Sequence, residues 1–266
     1  MLEYTGKSHT FAICAYKESL YLEECIHSLQ KQTVKSKIIM ATSTPNEYIR
    51  KIAERYKIPL YIREGKSNIA KDWNFAYEQC NTELVTIAHQ DDIYKPEYLK
   101  EALEKLNKAK NPIIYFNNYN EIREGVEVQK NQLLTIKRFM LIPLIPKLFQ
   151  KSPFVRRRVL SMGCPILCPS VLYVTQRMPN PLFTSNMRAS LDWEQWEKLS
   201  RLKGEFLYST KILTCHRIHK DSETSAALGD SARIIEDYEM FCKFWPKWIA
   251  KIIKYFYAKS EKSNWE

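Results

Sequence analysis

Over the first 110 residues, short apolar runs alternate with stretches of helical period. Thr10–Ala15 (TFAICA), Lys37–Ala41 (KIIMA), Pro59–Arg63, Glu83–Ala88 (ELVTIA) and Pro112–Phe116 read as buried strands. Between them, Tyr21–Gln32 puts Leu22, Cys25, Ile26 and Leu29 on one helical face. Ile69–Gln79 is a second helical stretch, and Pro96–Ala109 turns Leu99, Leu103 and Leu106 inward. A further helix is predicted to start at Thr44-Pro45-Asn46-Glu47, with Thr44 as the cap, Pro45 at the first helical position and Glu47 closing a capping box. The alternation predicts an α/β, Rossmann-like fold: a mainly parallel central sheet flanked by helices, with ligands bound beyond the carboxyl ends of its strands.

The second half is less regular. Phe139–Pro146 is a short apolar stretch broken by two prolines. Ser170–Val174 reads as a strand, Leu191–Leu202 as a helix, Glu205–Tyr208 and Lys211–Cys215 as two short strands, and Asp230–Lys259 as a long helix or a helix pair, interrupted at Pro246. In its last part, Trp248, Ile249, Ile252, Ile253, Phe256 and Tyr257 form an apolar stripe with Lys247, Lys251 and Lys254 around it.

Charge adds a second contrast. The net charge of +11 comes almost wholly from Val128–Leu191, which has no Asp or Glu but contains ten Lys or Arg, among them Lys137, Lys147 and Arg156-Arg157-Arg158. The residues between these charges are Leu, Ile, Phe, Met and Pro rather than the aromatic interleaving of a nucleic-acid reader. The block and the terminal stripe therefore suggest contact with an anionic membrane surface, and no nucleic-acid partner. The start, MLEYTGKSHT, lacks a basic region leading into an apolar core. No apolar run reaches the ~18 residues of a spanning helix. A cytoplasmic protein is expected, peripheral on the inner face of the cell membrane. Seven cysteines without metal-type spacing read as reduced thiols.

Five clusters fall at or near predicted strand ends. Tyr16 and Glu18, after the first strand, suit a nucleoside: the ring stacks on a base and the carboxylate accepts a hydrogen bond. Gly65–Asn74 offers Lys66 to phosphate and Asp72 to a base or ribose. His89-Gln90-Asp91-Asp92 concentrates acids at a strand end, costly without a cation, and carboxylate oxygens suit Mn²⁺ or Mg²⁺ on a diphosphate. Asp192, opening a helix, could act as a general base. His216 and His219 follow the last strand, and one of them could join the metal or the diphosphate.

In this order the clusters resemble the family 2 glycosyltransferases of GT-A fold. TFAICAYKESLYLEECIHSLQKQT is similar to that family's first strand, nucleotide loop and helix. HQDD falls where the family keeps its DxD motif, Asp192 matches the acid of its ED motif, and HRIHKDSETS resembles its late Arg-x-His segment. The resemblance implies that Tyr16 and Glu18 hold the nucleoside base, with Asp72 near base or ribose. It implies Asp91 as metal ligand, Asp192 as catalytic base and His219 at the metal or diphosphate. Two departures change the expectation. The usual acid pair after the second strand is replaced by Ala41-Thr42-Ser43-Thr44, so Ser43 or backbone groups are expected to read the base. His89 replaces the first Asp of DxD, so its imidazole is expected at the ribose.

The implied activity is metal-dependent, inverting transfer of a sugar from a nucleoside diphosphate to a saccharide or lipid-linked saccharide, in bacterial surface polysaccharide synthesis. Residues 1–120 are expected to form the nucleotide-sugar-binding half, 121–228 an acceptor-side region with the basic apolar insert, and 229–266 an amphipathic helical tail. Alternatives are a catalytically inactive nucleotide-sugar-binding protein at the membrane, or a nucleotidyltransferase, which would normally carry a Gly-rich phosphate loop near the N-terminus.

Overall fold

The structure is a computed structural model and describes residues 3–184, 186–219 and 231–262. Residues 220–225 of the segment resembling the late Arg-x-His motif, and the expected boundary at 228, lie outside the described residues.

The N-terminal part follows its hydrophobic pattern. Strands β1 (His9–Ala15), β2 (Lys37–Thr42), β3 (Leu60–Ile62) and β4 (Leu84–His89) pair in parallel in the order β3-β2-β1-β4. Helices α1 (Leu22–Gln30), α2 (Glu47–Arg55) and α3 (Ile69–Glu78) connect them. Short β5 (Ile93–Tyr94) and α4 (Tyr98–Leu106) follow. Successive residues of β1 point to opposite faces, as the period of two requires. Phe11 and Ile13 join a core with Leu22, Ile49 and Leu99 of α1, α2 and α4. Ala12 joins the opposite core with Ala70 and Ala76 of α3.

The sheet then becomes mixed. Strand β6 (Pro112–Arg123) runs well past the predicted Phe116. It carries the hairpin partner β7 (Val126–Val128) and lies antiparallel to β8 (Leu172–Val174), which in turn pairs antiparallel with β4. The two short strands expected at 205–208 and 211–215 are one strand, β9 (Glu205–Ile218), parallel to β6 along its length. A register shift between Asn117 and Tyr119 absorbs the break in apolar pattern that the sequence presents as a gap.

The basic insert folds as α5 (Gln132–Leu141), α6 (Lys147–Gln150) and α7 (Pro153–Val159). Helix α8 (Leu191–Ser200) precedes β9. The long terminal helix is two, α9 (Ser231–Cys242) and α10 (Lys247–Lys262), with Pro246 in the connection. Buried Arg156 explains part of the basic run: its guanidinium donates to the carbonyls of Ser200, Leu202 and Gly204, closing the C-terminal end of α8.

The predicted start of α2 shifts by two residues. Asn46 is the cap, accepting from the Ile49 amide at 2.8 Å. The Thr44 hydroxyl accepts instead from the Lys17 amide at 2.7 Å, in the loop after β1. Asn caps as well as Ser or Thr, so freeing Thr44 for that loop costs the helix little.

Candidate active site

The in-register pairing Cys14–His89 across β1 and β4, and Ala15–Thr42 across β1 and β2, brings three strand ends to one edge. Above that edge lies a cavity of about 890 Å³. Tyr16, Asp72, His89, Asp91, Asp192 and His219 all line it. Glu18 and Ser43 do not: Glu18 is exposed on the loop after β1, and the Ser43 hydroxyl is buried with no hydrogen-bond partner.

The loops on the strand side are tied to each other. Gln90 accepts from the Tyr16 amide at 2.9 Å and donates to the Tyr16 carbonyl at 3.0 Å, clamping the β1 loop to the HQDD loop. Lys17 follows with φ of 52°, a left-handed conformation uncommon for a residue with a Cβ and a sign of a strained turn. Both carboxylate oxygens of Asp72 are engaged. Oδ1 accepts from Arg63 at 2.7 Å, and Oδ2 accepts from the Ser67 hydroxyl at 2.7 Å and the Asn68 amide at 3.1 Å, so Asp72 fixes the loop entering α3.

His89, Asp91 and Asp92 bring one ligand atom each to within 4.8 Å of one another. The three side chains sit in different surroundings. Asp92 is fully buried; its Oδ1 takes a hydrogen bond from the Arg217 amide and is 2.9 Å from His216 Nδ1, while Oδ2 has no hydrogen-bond partner among the described residues and lies 3.9 Å from His89 Nδ1. His89 stacks on Trp73 with 4.9 Å between ring centroids, and its Nε2 is also unpartnered. Asp91 Oδ2 lies 3.0 Å from His219 Nε2. Burial raises the Asp91 carboxyl pKa, but the His219 hydrogen bond and neighbouring imidazoles outweigh it, and the net shift is downward. Burial pulls the His89 imidazole pKa down, favouring the neutral ring. For His216 burial also lowers the pKa, but the Asp92 carboxylate outweighs it and the net shift is upward. Two carboxylates, a neutral imidazole and two orphaned buried polar atoms make a donor set that fits a divalent cation.

Arg217 braces this group. Its Nε donates to the Asp91 carbonyl at 3.1 Å, its guanidinium lies 4.3 Å over the Tyr21 ring, and it pairs with Glu24.

The opposite wall comes from the second half of the chain. Asp192 sits in the first turn of α8. Its Oδ1 accepts from the Trp193 amide at 2.7 Å, and Cys164 Sγ is 3.8 Å from Oδ2. Burial raises the Asp192 carboxyl pKa despite that hydrogen bond and the nearby Lys137. The chain leading into α8 is anchored by α9: Glu236 accepts from the amides of Arg188, Ala189 and Ser190, and the Ser190 hydroxyl bonds Asp237. Lys137, from α5, also lines the cavity. Its Nζ is 3.0 Å from the Tyr119 hydroxyl, and no carboxylate lies within ion-pair distance of it among the described residues.

Sequence reasoning passed over Gln90, Arg217 and Lys137 as site residues. Gln90 and Arg217 stood inside recognised clusters, and only the contact partners reveal their part. Lys137 was one cation among ten, and only the direction of α5 separates it from the others.

Residues 10–166 match the family described as Glycosyl transferase family 2. An uncharacterized glycosyltransferase of Rickettsia conorii is 25% identical over 215 residues, which are 79% of this chain and 34% of that protein. The chain therefore spans about a third of the length of that relative. Among solved structures, S. aureus TarS 1–349 in complex with UDP-GlcNAc superimposes with a TM-score of 0.62 at 16% identity, covering 87% of this chain and 64% of that one. Mannosyltransferase PcManGT from Pyrobaculum calidifontis, in complex with GDP-Man and Mn²⁺, gives 0.61 at 13% identity, covering 90% and 64%. At these identities the likeness is one of fold, and the α/β architecture of the GT-A type is the one expected from the sequence.

Proposed function

This chain belongs to the family 2 glycosyltransferases, and from that premise we propose that it moves a sugar from a nucleoside-diphosphate donor to an acceptor hydroxyl in one in-line displacement that inverts the anomeric carbon. The observation that carries this reading is a single cavity with Asp91 on one wall and half-buried Asp192 on the other.

Asp192 takes the acceptor proton. With Oδ1 held by the Trp193 amide, Oδ2 is the oxygen left to receive it. The raised pKa of the carboxyl makes it a stronger base than an exposed aspartate. Asp91, with His89 and Asp92, would hold Mn²⁺ or Mg²⁺, which when bound neutralises the charge of the departing diphosphate. His219 orients the Asp91 carboxylate through its Nε2, and Lys137 places a fixed positive charge on the facing wall. Tyr16 stacks on the nucleoside base and Asp72 holds the loop beneath; Glu18 and Ser43, outside the cavity as it stands, reach the base once the loops after β1 and β2 close on it.

The acceptor is a saccharide or lipid-linked saccharide of a surface glycan, and the chain works at the inner face of the membrane. The division of labour follows: residues 1–120 bind donor, 121–228 complete the acceptor side, and 229–266 form the tail. The test is turnover of UDP- and GDP-sugars with Mn²⁺, comparing wild type with Asp91→Ala and Asp192→Asn. Loss of transfer in both, with the circular dichroism unchanged, is expected. Wild-type rates in either would remove that residue from the mechanism.

A further inference from the structure

Helix α10 is apolar on two sides. Ala250, Ile253 and Tyr257 turn towards the core. Trp248, Ile252, Tyr255 and Phe256 are 67%, 52%, 68% and 65% exposed, at spacings that define one helical face. A helix with one face already packed would ordinarily carry polar residues on the other. A second stripe runs from α5 into α6 at every third position, through Ile136, Phe139, Ile142, Ile145 and Leu148, all exposed, with Phe139 at 70% and Leu148 at 73%. Phe154 of α7 is exposed beyond it.

The segments that carry the two stripes are linked through Arg158. The Arg158 guanidinium lies over both the Phe154 ring, at 5.5 Å, and the Trp245 ring, at 4.9 Å, two residues before α10 begins. Trp245 Nε1 in turn donates to the Ser161 carbonyl at 2.8 Å. Exposed lysines flank both stripes. Arg156 and Arg157 are engaged with α8 and its surroundings, but Lys147, Lys247 and Lys251 are exposed, with no carboxylate within ion-pair distance among the described residues.

We propose that this face docks on an anionic lipid bilayer. Its apolar and aromatic tips enter the headgroup boundary, and its lysines meet the acidic headgroups. Apolar stripes this exposed are uncommon on a solitary protein, and unpaired lysines beside them fit a partner that is negative and without fixed shape. No helix among the described residues is long and apolar enough to cross a membrane, so the contact lies in the surface plane. Leu133 and Lys137 on the other side of α5, and Tyr257 of α10, line the cavity, so both docking elements also form its wall. An acceptor carried in the bilayer would thus be presented beside Asp192; that step rests on the transferase reading, whereas docking does not.

The test is flotation of the full chain with phosphatidylcholine vesicles containing or lacking about one third phosphatidylglycerol, at physiological salt. The chain is expected to float with the anionic vesicles only. Lys147→Glu with Lys251→Glu should weaken binding roughly tenfold or more. Phe139→Ser with Leu148→Ser and Trp248→Ser should abolish it, with melting temperature and affinity for nucleoside diphosphate unchanged. Failure to float overturns docking, as does flotation indifferent to both variants. A dimer that the apolar variant dissociates, without vesicle binding by wild type, would assign the face to a second copy instead. Nucleotide affinity, read separately by thermal shift, reports on the transferase reading whichever way flotation falls.

Discussion

The two walls of the cavity are built differently. The strand-side wall is local: His89 ends a short buried strand, Tyr16 and Asp91 follow one, and the parallel register of β1, β2 and β4 brings them together. The facing wall is long-range. Asp192 is held in place by α9 through Glu236 and Asp237, and Lys137 arrives on α5 from the basic insert. The strand side can thus hold a donor using the fold's own edge, while the chemistry on it depends on segments that reach the site only through tertiary packing.

The sharpest way to break this comparison is to disable the facing wall alone. Asp192→Asn should lower transfer about 10²–10⁴-fold while leaving binding of nucleoside diphosphate intact. It should also stabilise the protein. The folded-state pKa of Asp192 lies above its unfolded value, so its contribution to stability is fully present below the unfolded pKa and lost as pH rises through the folded one. Above that folded-state pKa the ionised carboxylate is therefore a cost, and at such pH its removal should raise the melting temperature by roughly 2–4 °C for each kcal/mol relieved. The same shift sets the pH profile: kcat/KM should climb with pH through a limb displaced above the ordinary carboxylate range, and Asp192→Asn should abolish that limb.

Asp91→Ala makes the complementary cut. It should remove the Mn²⁺-dependent part of the nucleotide-induced thermal shift along with transfer, whereas Asp192→Asn should keep it. A smaller effect is expected at Lys137, the long-range cation. Lys137→Met should lower kcat and kcat/KM together, by about 10², as loss of a contact to developing charge does. Smallest of all, Arg217→Lys keeps the charge but loses the fork that reaches both the Asp91 carbonyl and Glu24. It should weaken metal-dependent nucleotide binding roughly tenfold without altering the pH limb assigned to Asp192.

What could be read in the sequence divides along the same line. The strands and helices up to β4 were legible because each buries an unbroken apolar run or a helical stripe, and β1, with Phe11 and Ile13 on one face and Ala12 on the other, lies between two cores. Beyond β4 the pattern weakens. Strand β9 read as two pieces because Ser209 and Thr210 interrupt its apolar run, although pairing with β6 carries the backbone across the interruption. The antiparallel insertion of β8 between β4 and β6 depends on pairing that no local period encodes. At the site, the acids after strand ends were visible as clusters. The restraint of Asp72 by Arg63 was not, because it depends on how the loop between them folds back, and neither were the brace from Arg217 and the inward turn of Lys137, which depend on contacts between distant segments. The terminal helix shows the limit from the other side. Its apolar residues were read as one stripe, but the packed helix divides them between a core face and an exposed face.

The most direct measurement is the anomalous diffraction of crystals grown with Mn²⁺ and a nucleoside diphosphate. A manganese peak within about 2.5 Å of the Asp91 carboxylate, with the diphosphate in the same cavity and the open side towards Asp192, is the predicted result. A metal–nucleotide complex bound away from Asp91, or with no free path to Asp192, would contradict the account.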